Sequence, residues 1–162
     1  MIWISICAMS AFTTGAQTSL AEKDDCRNYL SVKIPKFNVV RAMRADLRPA
    51  LELYISVAPA EIDHDQMLAL ACHLGTIHAV EEALFVWICD TKSAAKHFEP
   101  GGAESSGSEN DKLSCRVSYS FTRYPQDGYG QLFDWRPERS DPKRWVLVDL
   151  GPPPPKPAAT GQ

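Results

Sequence analysis

Leu51-Glu-Leu-Tyr-Ile-Ser-Val57, Asp63-His-Asp-Gln-Met-Leu-Ala-Leu-Ala-Cys-His-Leu-Gly75 and Leu84-Phe-Val-Trp-Ile-Cys89 together set the architecture of this chain. In the first segment Leu51, Leu53, Ile55 and Val57 alternate with more polar residues, the period-two pattern of a strand with one apolar face. Pro59 stops it. The second opens on Asp63, a good N-cap, with Gln66 three residues on as a capping-box partner. At 100° per residue Met67, Leu70, Ala71 and Leu74 share one helical face, and Gly75 is placed to end the helix. The third segment is apolar on both faces, as a central strand should be. The sum is a β-α-β unit with two parallel strands.

Downstream, Ser93 is positioned to cap a short helix over Ala94–Phe98, and residues 99–112, rich in Gly, Ser and Glu, read as a flexible loop with almost nothing to bury. Leu113, Cys115, Val117, Tyr119 and Phe121 alternate with polar residues and predict a third strand. A turn at Pro125–Gly128 and short strands near Gln131–Trp135 and Arg144–Leu150 complete an antiparallel meander. Residues 151–162, with Pro152 to Pro155 consecutive, read as an extended, disordered, solvated tail. Upstream, Ile34 to Arg48 fits either a helix lined by Val39, Val40, Met43 and Leu47 or a strand opening at Phe37, and Pro49 ends whichever forms. The expected fold class is α+β: two layers, a mixed sheet of four to five strands, helices mainly on one face, and a single domain over residues 22–150.

Residues 1–21 carry no charged side chain, and the apolar run Ile2–Phe12 suits a signal-peptide core while falling short of the roughly 20 residues that cross a bilayer. Small residues permit cleavage after Ala16 or Ala21, and the onset of charge at Glu22 favours Ala21. A basic start is missing, and a buried N-terminal strand or helix is the competing account. Neither Cys7 nor Cys26 follows the small residue that lipid attachment needs. Export, to the periplasm or outside the cell, would place Cys26, Cys72, Cys89 and Cys115 where disulfides persist.

The formal net charge of -3 gives no broad basic field, so nucleic acid is not an expected partner. The 44% hydrophobic content is that of a globular protein. No second apolar segment is long enough to span a membrane, and the chain has no Asn-x-Ser/Thr acceptor, which points toward a bacterial source.

Four cysteines allow three pairings, and the absence of a Cys-x-x-Cys spacing argues against a redox motif or a zinc knuckle. Cys72 lies at the edge of the apolar helix face, within reach of the N-terminal segment. Cys89 ends a strand beside which an antiparallel neighbour would bring Cys115. The expected pairs are Cys26 with Cys72 and Cys89 with Cys115, against the alternative of buried free thiols. Glu61, Asp63, His64 and Asp65 cluster at the helix start, with His73 and His78 beyond, but capping and the helix dipole account for the carboxylates without a metal, leaving His64 as a surface residue. No cofactor or metal is expected.

Two functional readings remain. One is an exported binding or accessory protein acting on a protein or envelope component through its C-terminal meander. There Arg116, Arg123, Tyr124, Tyr129, Trp135 and Arg136 mix aromatic and guanidinium groups as binding hot spots do. Core packing of the aromatics is the competing explanation. The other reading is an envelope hydrolase or thiol enzyme with its site near Cys89, Asp90 and His97, at the C-terminal end of a parallel strand where open sheets place their sites.

Overall fold

The computed structural model describes residues 21–44, 49–100, 113–125, 130–138 and 144–158. The expected signal segment (save Ala21), loop residues 101–112 and Tyr129 lie outside them. One seven-stranded mixed sheet organises the chain, two strands or more beyond the sequence expectation. Its strands are β1 (Glu22–Lys23), β2 (Phe37–Arg44), β3 (Ala50–Val57), β4 (Ala83–Cys89), β5 (Cys115–Thr122), β6 (Gly130–Trp135) and β7 (Val146–Gly151), in the order β1-β7-β6-β5-β4-β3-β2. β3 and β4 are parallel, with Leu53 opposite Val86, and β5, β6 and β7 form the antiparallel meander.

Both added strands arise where the sequence signal was weak. β2 is a strand rather than a helix and pairs antiparallel with β3, with a bulge between Val39 and Arg41 that breaks its alternation. β1 is only two residues long and pairs parallel with β7, Glu22 opposite Val148.

α1 (His64–Ile77) crosses between β3 and β4 and buries Met67, Leu70 and Leu74 against Leu53, Ile55, Val86, Tyr119 and Phe133 in the main core. It is buried on more sides than its sequence suggests, Leu68, Ala69 and Cys72 included. The cause is a third element: the N-terminal segment, with a 3-10 turn at Cys26–Tyr29, lies over α1 and adds Cys26, Tyr29 and Ile34 to the core. α1 also runs past Gly75 to Ile77, so this glycine does not end the helix. The short α2 (Lys92–His97) lies on the other side of the sheet, packing Ala94 and Ala95 on Tyr54, Cys89 and Cys115. Its cap is Thr91 rather than Ser93, with Ala94 N–H donating to Thr91 Oγ1 at 3.0 Å.

The proline segment, expected as a solvated tail, makes contacts with the domain over residues 152–156. Pro153 is buried, and the run from Pro152 to Lys156 is fastened at three points. Gln131 Nε2 donates to Pro152 O, Arg123 donates to Pro154 O, and Lys156 pairs with Glu82. A polyproline strand spends no carbonyl on internal hydrogen bonds, so its oxygens are free to accept from side chains of the domain.

Candidate functional site

Two disulfides join Cys26 to Cys72 and Cys89 to Cys115. These are the expected pairs, and they fit an oxidising, exported compartment. Cys89 and Cys115 are direct cross-strand partners just beyond a bulge in the β4–β5 ladder, and both are buried. Cys26–Cys72 instead ties the 3-10 turn to α1 near the surface.

Around that outer disulfide lies an open hollow. It measures about 440 Å³, with Leu30, Leu150 and Pro152–Pro155 as apolar walls and Thr76 and Gln131 as polar points. A second hollow of about 230 Å³ lies beside it, lined by Tyr29, Val32 and Ile34 and the α1 residues Ala69 and His73. Cys26, Leu30, Cys72 and Thr76 line both. The result is one apolar groove with a disulfide in its floor and Leu30, 83% exposed, on its rim. One end carries the Arg27–Asp25 ion pair at 2.6 Å. Hydrogen bonds from the Arg27 side chain and amide hold the Asp25 carboxyl down at about 2. Thr76 Oγ1 is spent on Cys72 O at 2.9 Å. The groove therefore offers apolar surface with few free hydrogen-bonding groups.

Another cleft of about 240 Å³ opens beside Asp90, lined by Asn38, Ser56, Val57, Ala58, Asp90 and Lys92. It sits at the C-terminal ends of the two parallel strands. The chain leaves β3 for α1 on one face and β4 for α2 on the other, which is the topology that opens such crevices. The thiol chemistry expected here has no nucleophile in this form, because Cys89 and Cys72 are both in disulfides. Asp90 precedes the first turn of α2 and His97 ends its last, so the two stand at opposite ends of that helix.

Several aromatic and arginine residues of the meander make contacts within the domain. Trp135, Tyr119, Phe121 and Phe133 are buried. Arg123 donates to the carbonyls of Glu81, Ala79 and Pro154 and lies over the Phe121 ring. Arg116 donates to the carbonyls of Arg136 and Pro137, and the buried Arg136 to those of Leu113 and Cys115. Five-donor guanidinium forks are well suited to tying loop carbonyls together. Of the expected binding-surface residues that are described, only Tyr124 is left partly exposed without such a role, and Tyr129 lies outside the described residues. At the start of α1, Asp63 caps by accepting from the amides of Asp65 and Gln66, at 3.1 and 3.3 Å. His64 is more than a surface residue, since its ring lies edge-on to Phe133 and Trp135 at centroid distances of 6.0 and 5.9 Å.

The class defined by fold and site is a small, disulfide-stapled α+β protein with an apolar groove over its long helix. Comparison with protein-family models, curated proteins and solved structures gave no match. No helix among the described residues is long and apolar enough to cross a membrane.

Proposed function

We propose that this chain is an exported binding or accessory module whose recognition surface is the groove astride the Cys26–Cys72 disulfide. The observation that carries this reading is that two apolar hollows share Cys26, Leu30, Cys72 and Thr76 as lining, with Leu30 largely exposed. A concave, mostly apolar surface with a few polar points is the usual form of a ligand site. Stapling supports it further: the bond fixes the position of one groove wall against the other, so little ordering remains to be done when a ligand enters. The uncharged leader and the two disulfides favour export, to the periplasm or beyond.

The experiment is a titration with anilinonaphthalene sulfonate, which brightens in apolar hollows, on wild type and on Leu30→Asp and Thr76→Glu. The expected result is enhanced emission from the folded wild type and its loss in both variants at unchanged thermal midpoint. Emission that is absent from the wild type, or equal in all three, overturns the reading. N-terminal sequencing of the protein secreted by a bacterial host tests the export element, with Glu22 as the expected first residue.

A further inference from the structure

Among the described residues, α2 alone packs on the sheet face opposite α1, at one end of it, and what it leaves open is unusual. β4 is an interior strand paired on both sides, yet Phe85 on this face is 38% exposed, and Leu132 on β6 is 39% exposed. Trp87, two residues along β4, is partly exposed with its ring against Phe98 at 5.2 Å. Between these apolar groups the register interleaves polar ones. Ser120 stands between Phe85 and Leu132, and Ser118 between Trp87 and Asp134. Exposed aromatic patches of this kind mark interaction sites. We infer that this face binds a neutral saccharide through the rings of Phe85 and Trp87 and the hydroxyl and carboxylate groups of Ser118, Ser120 and Asp134.

The chemistry of the face selects that class. The arginines bordering it are already engaged: Arg41 stacks on Tyr54 at 3.8 Å and donates to Phe98 O, and Arg116 serves two carbonyls across the β6 end. With a carboxylate in the middle and no free guanidinium beside it among the described residues, the surface disfavours phosphate, sulfate and anionic membranes. β4, β5 and β6 are each paired on both sides, so an added peptide strand finds no open ladder here. What fits is a ligand whose hydroxyls donate to carboxylate and serine oxygens while its flat C–H faces lie on aromatic rings. Asp134 suits the first role: it accepts one hydrogen bond, from Ser118 at 3.1 Å, and its partial burial strengthens any further donor. Phe85 and Leu132 lie two strands apart, about 10 Å, and Phe85 and Trp87 about 7 Å along the strand, which gives room for two sugar rings.

Isothermal titration with cellotetraose, maltotetraose and chitotetraose tests this independently of the groove. At least one is expected to bind, with affinity reduced about tenfold by Phe85→Ser and by Asp134→Ala and unchanged by Leu30→Asp. Phe85 is exposed, so Phe85→Ser keeps the fold, and thermal melting of each variant confirms it. The inference is overturned by silence with all three sugars, by binding that both variants leave intact, or by tighter binding of a sulfated oligosaccharide than of its neutral counterpart.

Discussion

Gly75 of α1 packs against the Tyr119 hydroxyl of β5 so closely that a Cβ on this glycine would overlap the oxygen and stand 3.1 Å from Cζ. That hydroxyl in turn donates to Gln131 Oε1 at 2.7 Å, and Gln131 donates to Pro152 O, so one line of contacts joins helix, sheet and proline segment. Burial pushes the Tyr119 phenol well above its ordinary pKa, and it serves as a neutral donor throughout the useful pH range. In most helix interiors Gly→Ala stabilises by about 1 kcal/mol. Here Gly75→Ala is expected to destabilise by about 1–2 kcal/mol in denaturant unfolding, because overpacking outweighs propensity. In a Tyr119→Phe background the cost of Gly75→Ala should shrink, and additive effects would refute the contact.

The two disulfides differ in access. Cys26–Cys72 lines the groove, whereas Cys89 is 0% and Cys115 3% exposed. Thiol–disulfide exchange requires the attacking thiolate to reach sulfur, so graded reductant should open Cys26–Cys72 first. Alkylation and intact mass are expected to show a two-thiol species before the four-thiol one. The 46-residue separation of this pair predicts a loss of about 4 kcal/mol for the double Cys26→Ser, Cys72→Ser variant on loop-closure entropy. Simultaneous appearance of four thiols would contradict the difference in access.

Asp134 predicts a pH dependence. Partial burial raises its folded pKa above the ordinary aspartate value, against the smaller lowering by Ser118. A carboxyl that holds its proton more tightly when folded loses stability as pH rises from the unfolded value through the folded one. Asp134→Asn should therefore melt higher than wild type at pH 7, and the advantage should fade as pH falls below the ordinary aspartate range. A gain that persists undiminished at low pH would show that Asp134 ionisation is not its source.

Arg123 is expected to hold the proline segment, since one side chain reaches carbonyls on both sides of the junction. Arg123→Ala should free residues 154–158 and cost about 1–3 kcal/mol of stability. Backbone 15N relaxation at Lys156 and Ala158 reads this directly: order parameters near 0.85 are expected in the wild type and below about 0.6 in the variant. Equal values would place the hold elsewhere.

The β-α-β unit was legible because its periods are clean: Leu51, Leu53, Ile55 and Val57 face one way, and Met67, Leu70 and Leu74 another. The cysteine pairs followed from where that unit placed Cys72 and Cys89. What hid from the sequence was long-range. Glu22 and Lys23 have no strand pattern of their own and become a strand only through Val148 and Asp149. The bulge at Val39/Arg41 erased the alternation that would have marked β2. Gly75 carried a stop signal because the Tyr119 hydroxyl that requires a glycine there lies 44 positions downstream. The arginines of the meander resembled a binding surface because composition does not show where a guanidinium points, and theirs point at carbonyls. The groove was invisible for a related reason: its walls, the 3-10 turn, α1 and the prolines, are far apart in the chain.

The pairing of Glu22 with Val148 also fixes an order of events in folding. A chain that emerges N-terminus first, from a ribosome or a membrane pore, holds this strand without a partner until nearly the whole domain has followed it. β7 reaches its own place only through β6 and β5, so the last-made strand is the one that completes the sheet at both sides of itself. The first strand thus acts as a late clasp, and a chain still in transit lacks the closure that would make it hard to thread.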